Sequence, residues 1–279
     1  MPNIKIVTDS TAGLTTKEIE NFNITVLPLT VSLNGEEWVP DENMDYEGFI
    51  DQMEAAKELP RTSQPAIGKM VEALENLTAD GSSVIVISLT EKLSGTVTTF
   101  QQAADMVSGD VTVVDSKFIS RALAFQVIEA GEMAKAGATK EAILERVKFI
   151  QEHTKLFIVV LNLDNLAKGG RIGKMTSAIG HLLSIKLIAE LGEGGLEAKA
   201  KVRSEKQIIK FFNSHFEGVT ENVKYIDMMH AMNNELSEKV ANSIKVIKPQ
   251  IKEIPQFFVD PIIATHAGKG AVAVMYCTE

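Results

Sequence analysis

The chain has 279 residues, 45% of them hydrophobic, and its 28 basic and 37 acidic side chains give a net charge of −9. This acidic balance argues against a nucleic-acid-binding protein, because phosphate backbones are bound mainly by clustered lysine and arginine. The single cysteine, Cys277, excludes an internal disulfide and favours a reducing compartment. No apolar stretch approaches the ~18 residues of a membrane span, so we expect a soluble, cytoplasmic protein.

The first half of the chain alternates strand and helix patterns. Asn34-Gly35 is a strong hairpin-turn signal between two short strands. The alternation predicts a mostly parallel sheet with helices on both faces. The predicted strands are Ile4–Thr8, Ile24–Leu33 with an interruption at Pro28, Val84–Leu89, Val111–Val114 and Lys155–Leu161, and the predicted helices include Asp41–Lys57, Ile119–Ala136 and Thr139–His153.

The second half changes character. Apolar and charged residues alternate over Leu196–Arg203, which is typical of a half-exposed antiparallel strand. We therefore expect an N-terminal α/β domain of residues 1–155 and a C-terminal α/β domain of residues 156–279 with a mixed or antiparallel sheet. Further predicted elements are helices at Lys206–Phe216 and Glu235–Lys248 and strands at Val223–Met229, Phe257–Ala264 and Ala271–Cys277.

Hydroxyl side chains follow three predicted strand or loop ends, at Asp9-Ser10-Thr11, at Thr62-Ser63 and at Ser94. Ser94 and the glycine after it open a helix, where free amides and the helix dipole favour an anion. Each hydroxyl taken alone is more often a helix cap. Because ligands of parallel sheets bind at the carboxyl ends of strands, the three segments together predict one polar pocket.

Several chemistries are disfavoured. The segment 169–174 resembles a phosphate loop but is one residue short, and Met175 replaces the required hydroxyl. The five histidines show no metal-ligand spacing, so we expect no metal and no cofactor. His266 lies beside a glycine-rich turn, and the sequence supports a role in the site and a purely structural role for it equally. A serine hydrolase or acyltransferase using Ser94, His266 and Asp9 remains an alternative although no GxSxG motif is present, as does a sugar- or nucleotide-phosphate binder.

The sequence resembles the DegV family across essentially its whole length. The resemblance is carried by IVTDST, RTSQP, LSGT, VVDS, GGRIGK and THAGKGA, in this order along the chain. It implies a two-domain α/β protein that binds fatty acids and is not an enzyme by itself. Several members serve as the binding subunit of a bacterial fatty acid kinase in phospholipid metabolism, and they present the bound carboxylate for phosphorylation to acyl phosphate.

The resemblance also implies site residues. Thr62 and Ser94 look like the pair that holds the carboxylate, and Arg171 and His266 look like residues at the pocket mouth, with Arg203 as a further candidate. A partner kinase would bring ATP, because the chain has no phosphate loop of its own. The loop after His266 departs from the family pattern HxGPGA, since a lysine at position 269 replaces the proline.

The acyl tail requires an apolar tunnel between or within the domains. Burying ~14 methylenes at ~0.8 kcal/mol each contributes roughly 11 kcal/mol gross, so the tail should dominate affinity. The candidate walls, which are equally consistent with ordinary core, are Leu27-Pro28-Leu29, Ile179, Leu182, Leu183 and Ile185. The sequence leaves open the tail length and whether the protein makes a transient contact with a membrane surface.

Overall fold

The computed structural model describes residues 3–41, 43–173, 186–192 and 194–279. The chain forms two compact units: the first contains the residues up to Thr30 together with Thr62–His153, and the second contains Val31–Arg61 together with Thr154–Glu279. The chain passes from one unit to the other after Thr30, after Arg61 and after His153. Residues 31–61, which the sequence pattern placed in the first domain, group with the second half of the chain.

The first unit contains a parallel sheet with the strand order β2-β1-β6-β7, the elements being numbered in chain order. Each neighbouring pair in this sheet is parallel, as the alternating pattern predicted. The strands are β1 (Ile4–Asp9), β2 (Thr25–Leu27), β6 (Ser83–Ser88) and β7 (Val111–Asp115), and the helices are α1 (Thr16–Phe22), α3 (Ile67–Thr78), α4 (Thr96–Asp105), α5 (Arg121–Lys135) and α6 (Lys140–His153).

Successive side chains of β6 enter two different cores. Ile85 and Ile87 pack into a cluster that includes Leu123 of α5, whereas Val84 and Val86 pack into a second cluster with helices α3 and α4. Because side chains alternate across a strand, an uninterrupted apolar run requires cover on both faces. The prediction of helices on both faces of a parallel sheet is confirmed.

A hairpin occupies the start of the segment that groups with the second half. Its strands are β3 (Thr30–Leu33) and β4 (Glu36–Trp38), followed by α2 (Tyr46–Ala55) and β5 (Arg61–Ser63). Asn34 and Gly35 have φ angles of 54° and 87°, as a tight type I′ turn requires, so the predicted hairpin is confirmed. The single strand predicted over Ile24–Leu33 is wrong, because it divides around Pro28 into β2 and β3, which belong to different sheets.

The second unit contains a mixed sheet with the order β10-β9-β8-β13-β11-β12. Its neighbours are antiparallel except for β11 and β12, which confirms the expected mixed sheet. The elements are β8 (Thr154–Val160), α7 (Asp164–Lys168), β9 (Lys186–Gly192), β10 (Gly195–Val202), α8 (Glu205–Glu217), β11 (Val223–His230), α9 (Asn234–Ile247), β12 (Gln256–Phe258), α10 (Pro261–Ala267) and β13 (Val272–Thr278).

The strand predicted over Phe257–Ala264 is wrong beyond Phe258, because only Phe257 and Phe258 belong to β12 and Pro261–Ala264 begin a helix. Asp260 caps α10 by accepting hydrogen bonds from the amides of Ile262 at 2.7 Å and Ile263 at 3.0 Å. Pro261 occupies the first helical position, where its missing N–H costs nothing. His266 therefore lies in the last turn of a helix and not behind a strand.

Within the described ranges, no helix is long and apolar enough to cross a membrane.

Candidate functional site

Ser94 lies in the connection between β6 and α4. The N-cap of α4 is Gly95, so Ser94 does not cap the helix in the usual way. Its hydroxyl oxygen lies 2.8 Å from Thr96 Oγ1 and accepts a hydrogen bond from the Thr96 amide at 3.3 Å. Ser94 is half-buried. The paired hydroxyls stand beside the first turn of α4, whose amides lack intrahelical acceptors, and this arrangement suits a bound anion.

The segment that follows Thr62 packs against the same helix. Gln64 donates from Nε2 to Thr99 Oγ1 at 2.6 Å, and its Oε1 lies 3.4 Å from where a Cβ on Gly95 would stand. Thr62 itself is half-buried in β5. The structure thus brings the Thr62 segment to the helix end that carries Ser94.

The third hydroxyl-bearing segment has a structural explanation. Asp9 is fully buried at the end of β1 and accepts hydrogen bonds from Ser88 Oγ at 2.6 Å, the Leu89 amide at 2.8 Å and the Thr11 amide at 3.0 Å. Burial raises the pKa of Asp9, and these hydrogen bonds oppose the rise. Among the described residues its donors are hydroxyls and amides that join the ends of β1 and β6. The hydrolase alternative, in which Asp9 would orient a histidine, receives no support.

In the second unit, two glycines determine where Arg171 lies. Gly169 is the C-cap of α7, and Gly170 has a φ of 75°, in the left-handed region. The Gly170 amide donates to the carbonyl of Ala167 at 3.1 Å and the Arg171 amide to that of Leu166 at 2.9 Å. This pair of hydrogen bonds is the Schellman motif that ends many helices. The Arg171 guanidinium also donates to the Gly169 carbonyl at 2.6 Å.

His266 packs against the same helix end. A Cβ on Gly169 would lie 2.5 Å from His266 Nδ1, so the imidazole approaches the backbone as only glycine allows. Burial, followed by the charge of Arg171, lowers the pKa of His266 from 6.5 to about 4. The imidazole is therefore neutral near pH 7. A permanent cation and a neutral imidazole therefore share one small region.

Asn165 joins the two segments and was missed by the sequence analysis. Its Nδ2 donates to the Thr265 carbonyl at 3.0 Å, and its side chain lies against Gly268, whose φ is 79°. No pattern in the sequence marks this asparagine.

Lys269, which replaces the family's proline, forms an ion pair with Asp51 at 2.7 Å. This exposed pair offsets much of the positive charge that Lys269 would otherwise add.

The sheet topology explains why α7 and α10 meet. Strands β8 and β13 are antiparallel neighbours, with Val159 opposite Val272. Helix α7 follows the end of β8, and α10 precedes the start of β13. Both helices are therefore attached to the same edge of the sheet.

Arg203 lies at the same end of the sheet as α7 and α10 but is separated from them. Strand β9 is antiparallel to both β8 and β10, so β8 and β10 run in the same direction and end at one edge. Arg203 follows β10 immediately and lies two strands from β8, or about 10 Å at the usual strand spacing. Its side chain is exposed, and its amide donates to Gln207 Oε1 at 2.7 Å.

The remaining expectations concern the tunnel walls and metals. Leu29 is buried and Leu27 packs beside the core of the first unit. The other candidate walls, at positions 179, 182, 183 and 185, lie outside the described residues.

In the part of the chain that the structure describes, no group of histidine, cysteine and acidic side chains could hold a metal ion.

Comparison with known proteins gives a consistent result. Residues 3–279 match the family model described as "Uncharacterised protein, DegV family". A DegV domain-containing protein of Listeria monocytogenes is 48% identical over 280 residues, which cover 100% of both chains. The solved structure described as fatty acid binding of a DegV family protein from Thermus thermophilus superposes with a TM-score of 0.89 at 26% identity, covering 99% of this chain and 100% of the other. DegV of Bacillus subtilis, described as a fatty acid binding protein, gives 0.86 at 28% identity, covering 100% of each chain.

Proposed function

The chain belongs to the DegV family, and on this premise we propose that it binds a long-chain fatty acid and presents the carboxylate to a partner kinase. The observation that carries the proposal is the match, over nearly the whole chain, to solved DegV proteins that are described as binding fatty acids. The chain acts as a carrier and not as an enzyme by itself.

Thr62 and Ser94 hold the carboxylate in this proposal. The hydroxyl pair at Ser94 and the packing of Gln64 against Thr99 support a polar site at the first turn of α4. Neutral donors suit a carrier, since they orient a carboxylate without occupying both oxygens as a bidentate arginine does. One carboxylate oxygen then remains available as a nucleophile. The apolar tail supplies most of the affinity from a tunnel.

In this proposal Arg171, His266 and Arg203 serve the phosphoryl transfer. The carboxylate oxygen attacks the γ-phosphorus of ATP, the bond to the β-phosphate oxygen breaks, and acyl phosphate and ADP form. Charge builds on the phosphoryl oxygens, and positioned cations and hydrogen-bond donors stabilise it. Arg171 is always cationic, and neutral His266 can donate one hydrogen bond. The partner kinase brings ATP and magnesium.

The experiment combines the full chain, the ATP-dependent fatty acid kinase of its source organism, ATP, magnesium and oleate. Acyl phosphate is trapped with hydroxylamine and measured as the hydroxamate. We expect product only when carrier and kinase are both present. If oleate binds but no hydroxamate forms, the proposed presentation to a kinase is wrong. If oleate does not bind, the carrier function is wrong as well.

A further inference from the structure

The backbone of Ser94 is bound to Thr90, a buried residue that follows strand β6. The Thr90 carbonyl accepts hydrogen bonds from the amides of Leu93 at 3.1 Å and Ser94 at 3.2 Å. The Thr90 hydroxyl also accepts one from the amide of Lys92 at 3.3 Å. Together these bonds close a tight turn over residues 90–94, so a displacement of Thr90 would also move the Ser94 hydroxyl.

Thr90 ends a short buried segment, here called the stem, that consists of Ser88, Leu89 and Thr90. Each stem residue is anchored by a hydrogen bond to another part of the first unit. Asp9 Oδ2 accepts from Ser88 Oγ at 2.6 Å and from the Leu89 amide at 2.8 Å. The Thr90 amide donates to the Phe118 carbonyl at 2.9 Å. Asp9 thus fixes the two stem residues that precede Thr90.

The other oxygen of Asp9 is bound as well. Oδ1 accepts from the Thr11 amide at 3.0 Å, and the Thr11 carbonyl accepts from the Ser120 amide at 2.9 Å. Ser120 has a φ of 64° and a ψ of −151°, a backbone conformation that is nearly restricted to glycine. Such strain persists only where the surrounding contacts over-determine the backbone. Because Ser120 closely follows Phe118 in the chain, the two partners of the stem, Asp9 and Phe118, are joined to each other through Thr11.

A carboxylate suits this position, because both of its oxygens accept hydrogen bonds at once and its charge strengthens each of them. Asp9 therefore binds the stem with one oxygen and Thr11 with the other. A Ser94 hydroxyl whose backbone is held in this way loses little conformational freedom when it binds a carboxylate, and such preorganisation raises affinity.

We propose that Asp9 is a positioning residue of the carboxylate site, acting through the stem and Ser94 and not by contact with the fatty acid. This role rests on the carrier function proposed above, in which Ser94 holds the carboxylate. Asp9 fixes the stem, the stem fixes the turn, and the turn fixes the Ser94 hydroxyl. An aspartate that only stabilised the fold would affect ligand binding equally with and without the Ser94 hydroxyl.

The test is a double-mutant cycle on ligand affinity. Asp9→Asn keeps the size of the side chain, but its amide accepts on one side only, so the link between the stem and Thr11 is broken. Oleate affinity is measured by fluorescence titration in the parent, in Asp9→Asn, in Ser94→Ala and in the double variant. We expect Asp9→Asn to weaken oleate binding about fivefold in the parent and less than about twofold in the Ser94→Ala background. Equal losses in the two backgrounds would overturn the positioning role.

Thr8→Val is the matched control. Its buried hydroxyl donates to the Ile87 carbonyl at 2.7 Å, and it therefore also joins β1 to β6, one residue before Asp9 and Ser88. Thr8→Val should lower the free energy of unfolding and change oleate affinity less than about twofold, because it does not touch the stem. Circular dichroism checks that each variant is folded.

Ser88→Ala takes the place of Asp9→Asn in the same cycle if the asparagine variant does not fold. It removes one hydrogen bond between Asp9 and the stem, so a loss of about threefold is expected in the parent background alone. If Ser94→Ala weakens binding and neither stem variant does, the positioning role is wrong and the carrier function stands. If oleate binds the parent and Ser94→Ala equally well, the role of Ser94 and that of Asp9 are both wrong. A parent chain that does not bind oleate would contradict the carrier function and this role together.

Discussion

The imidazole of His266 fills the space that a side chain at position 169 would need, since a Cβ on Gly169 would lie 2.5 Å from Nδ1. Glycine at 169 is therefore a packing requirement. Glycine at 170 is a backbone requirement, because its φ is 75°. The two adjacent glycines thus place Arg171 beside His266 by different physical means.

Gly169→Ala should destabilise the protein by about 1–3 kcal/mol, because the added methyl overpacks against the imidazole. The free energy of unfolding, measured in urea, reports the loss. In the double variant Gly169→Ala/His266→Ala the methyl should find space, so the two losses should not add. A Gly169→Ala protein as stable as the parent would show that the His266 imidazole does not pack against Gly169 as described.

His266 should remain neutral down to about pH 4, compared with 6.5 for a free histidine. As the pH falls below 6.5, the unfolded chain takes up this proton before the folded chain does, so the free energy of unfolding declines between 6.5 and about 4. NMR of the imidazole should show no titration near pH 6.5, and His266→Gln should have a shallower decline in stability. An imidazole that titrates near 6.5 would contradict the described burial.

Thr62→Ala with Ser94→Ala should weaken fatty acid binding without abolishing it. Each lost hydrogen bond to the carboxylate costs about 1.5–3 kcal/mol, and the tail contribution remains. A fluorescence titration with a long-chain fatty acid measures the change. Thr139→Ala is a matched control, because its hydroxyl caps α6 by accepting from the Ala142 amide at 3.3 Å. Equal affinity in the double variant and the control would mean that Thr62 and Ser94 serve only local structure.

Arg171→Ala and His266→Ala should reduce acyl phosphate formation more than fatty acid affinity. Phosphoryl transfer builds charge that these side chains would stabilise, whereas the tail dominates binding. The hydroxamate assay and the fluorescence titration, run on the same preparations, separate the two effects. Full turnover in both variants would remove Arg171 and His266 from the transfer step.

The sequence was most informative where local chemistry decides the structure. The Asn34-Gly35 turn has the positive φ angles that its residues favour. The apolar run of β6 required cover on both faces. These features depend on neighbouring residues or on simple periodicity.

Errors arose where two local signals competed. The β-branched residues near Val259 favoured a strand, but the cap at Asp260 and Pro261 started a helix. An aspartate followed by a proline is a helix-start signal that the sequence itself contains. The grouping of residues 31–61 with the second half depends on contacts distant in sequence, which periodicity does not report. The hydrogen bond from Asn165 to Thr265 is likewise visible only in three dimensions.

The most direct test of the carrier function is the mass of the ligand that purifies with the protein. Native mass spectrometry gives the mass of the complex, and denaturing extraction releases the ligand for identification. The account predicts a stoichiometric long-chain fatty acid, lost on extraction with organic solvent and restored by adding oleate. A water-soluble phosphate compound as the sole bound molecule, with no uptake of oleate, would contradict it.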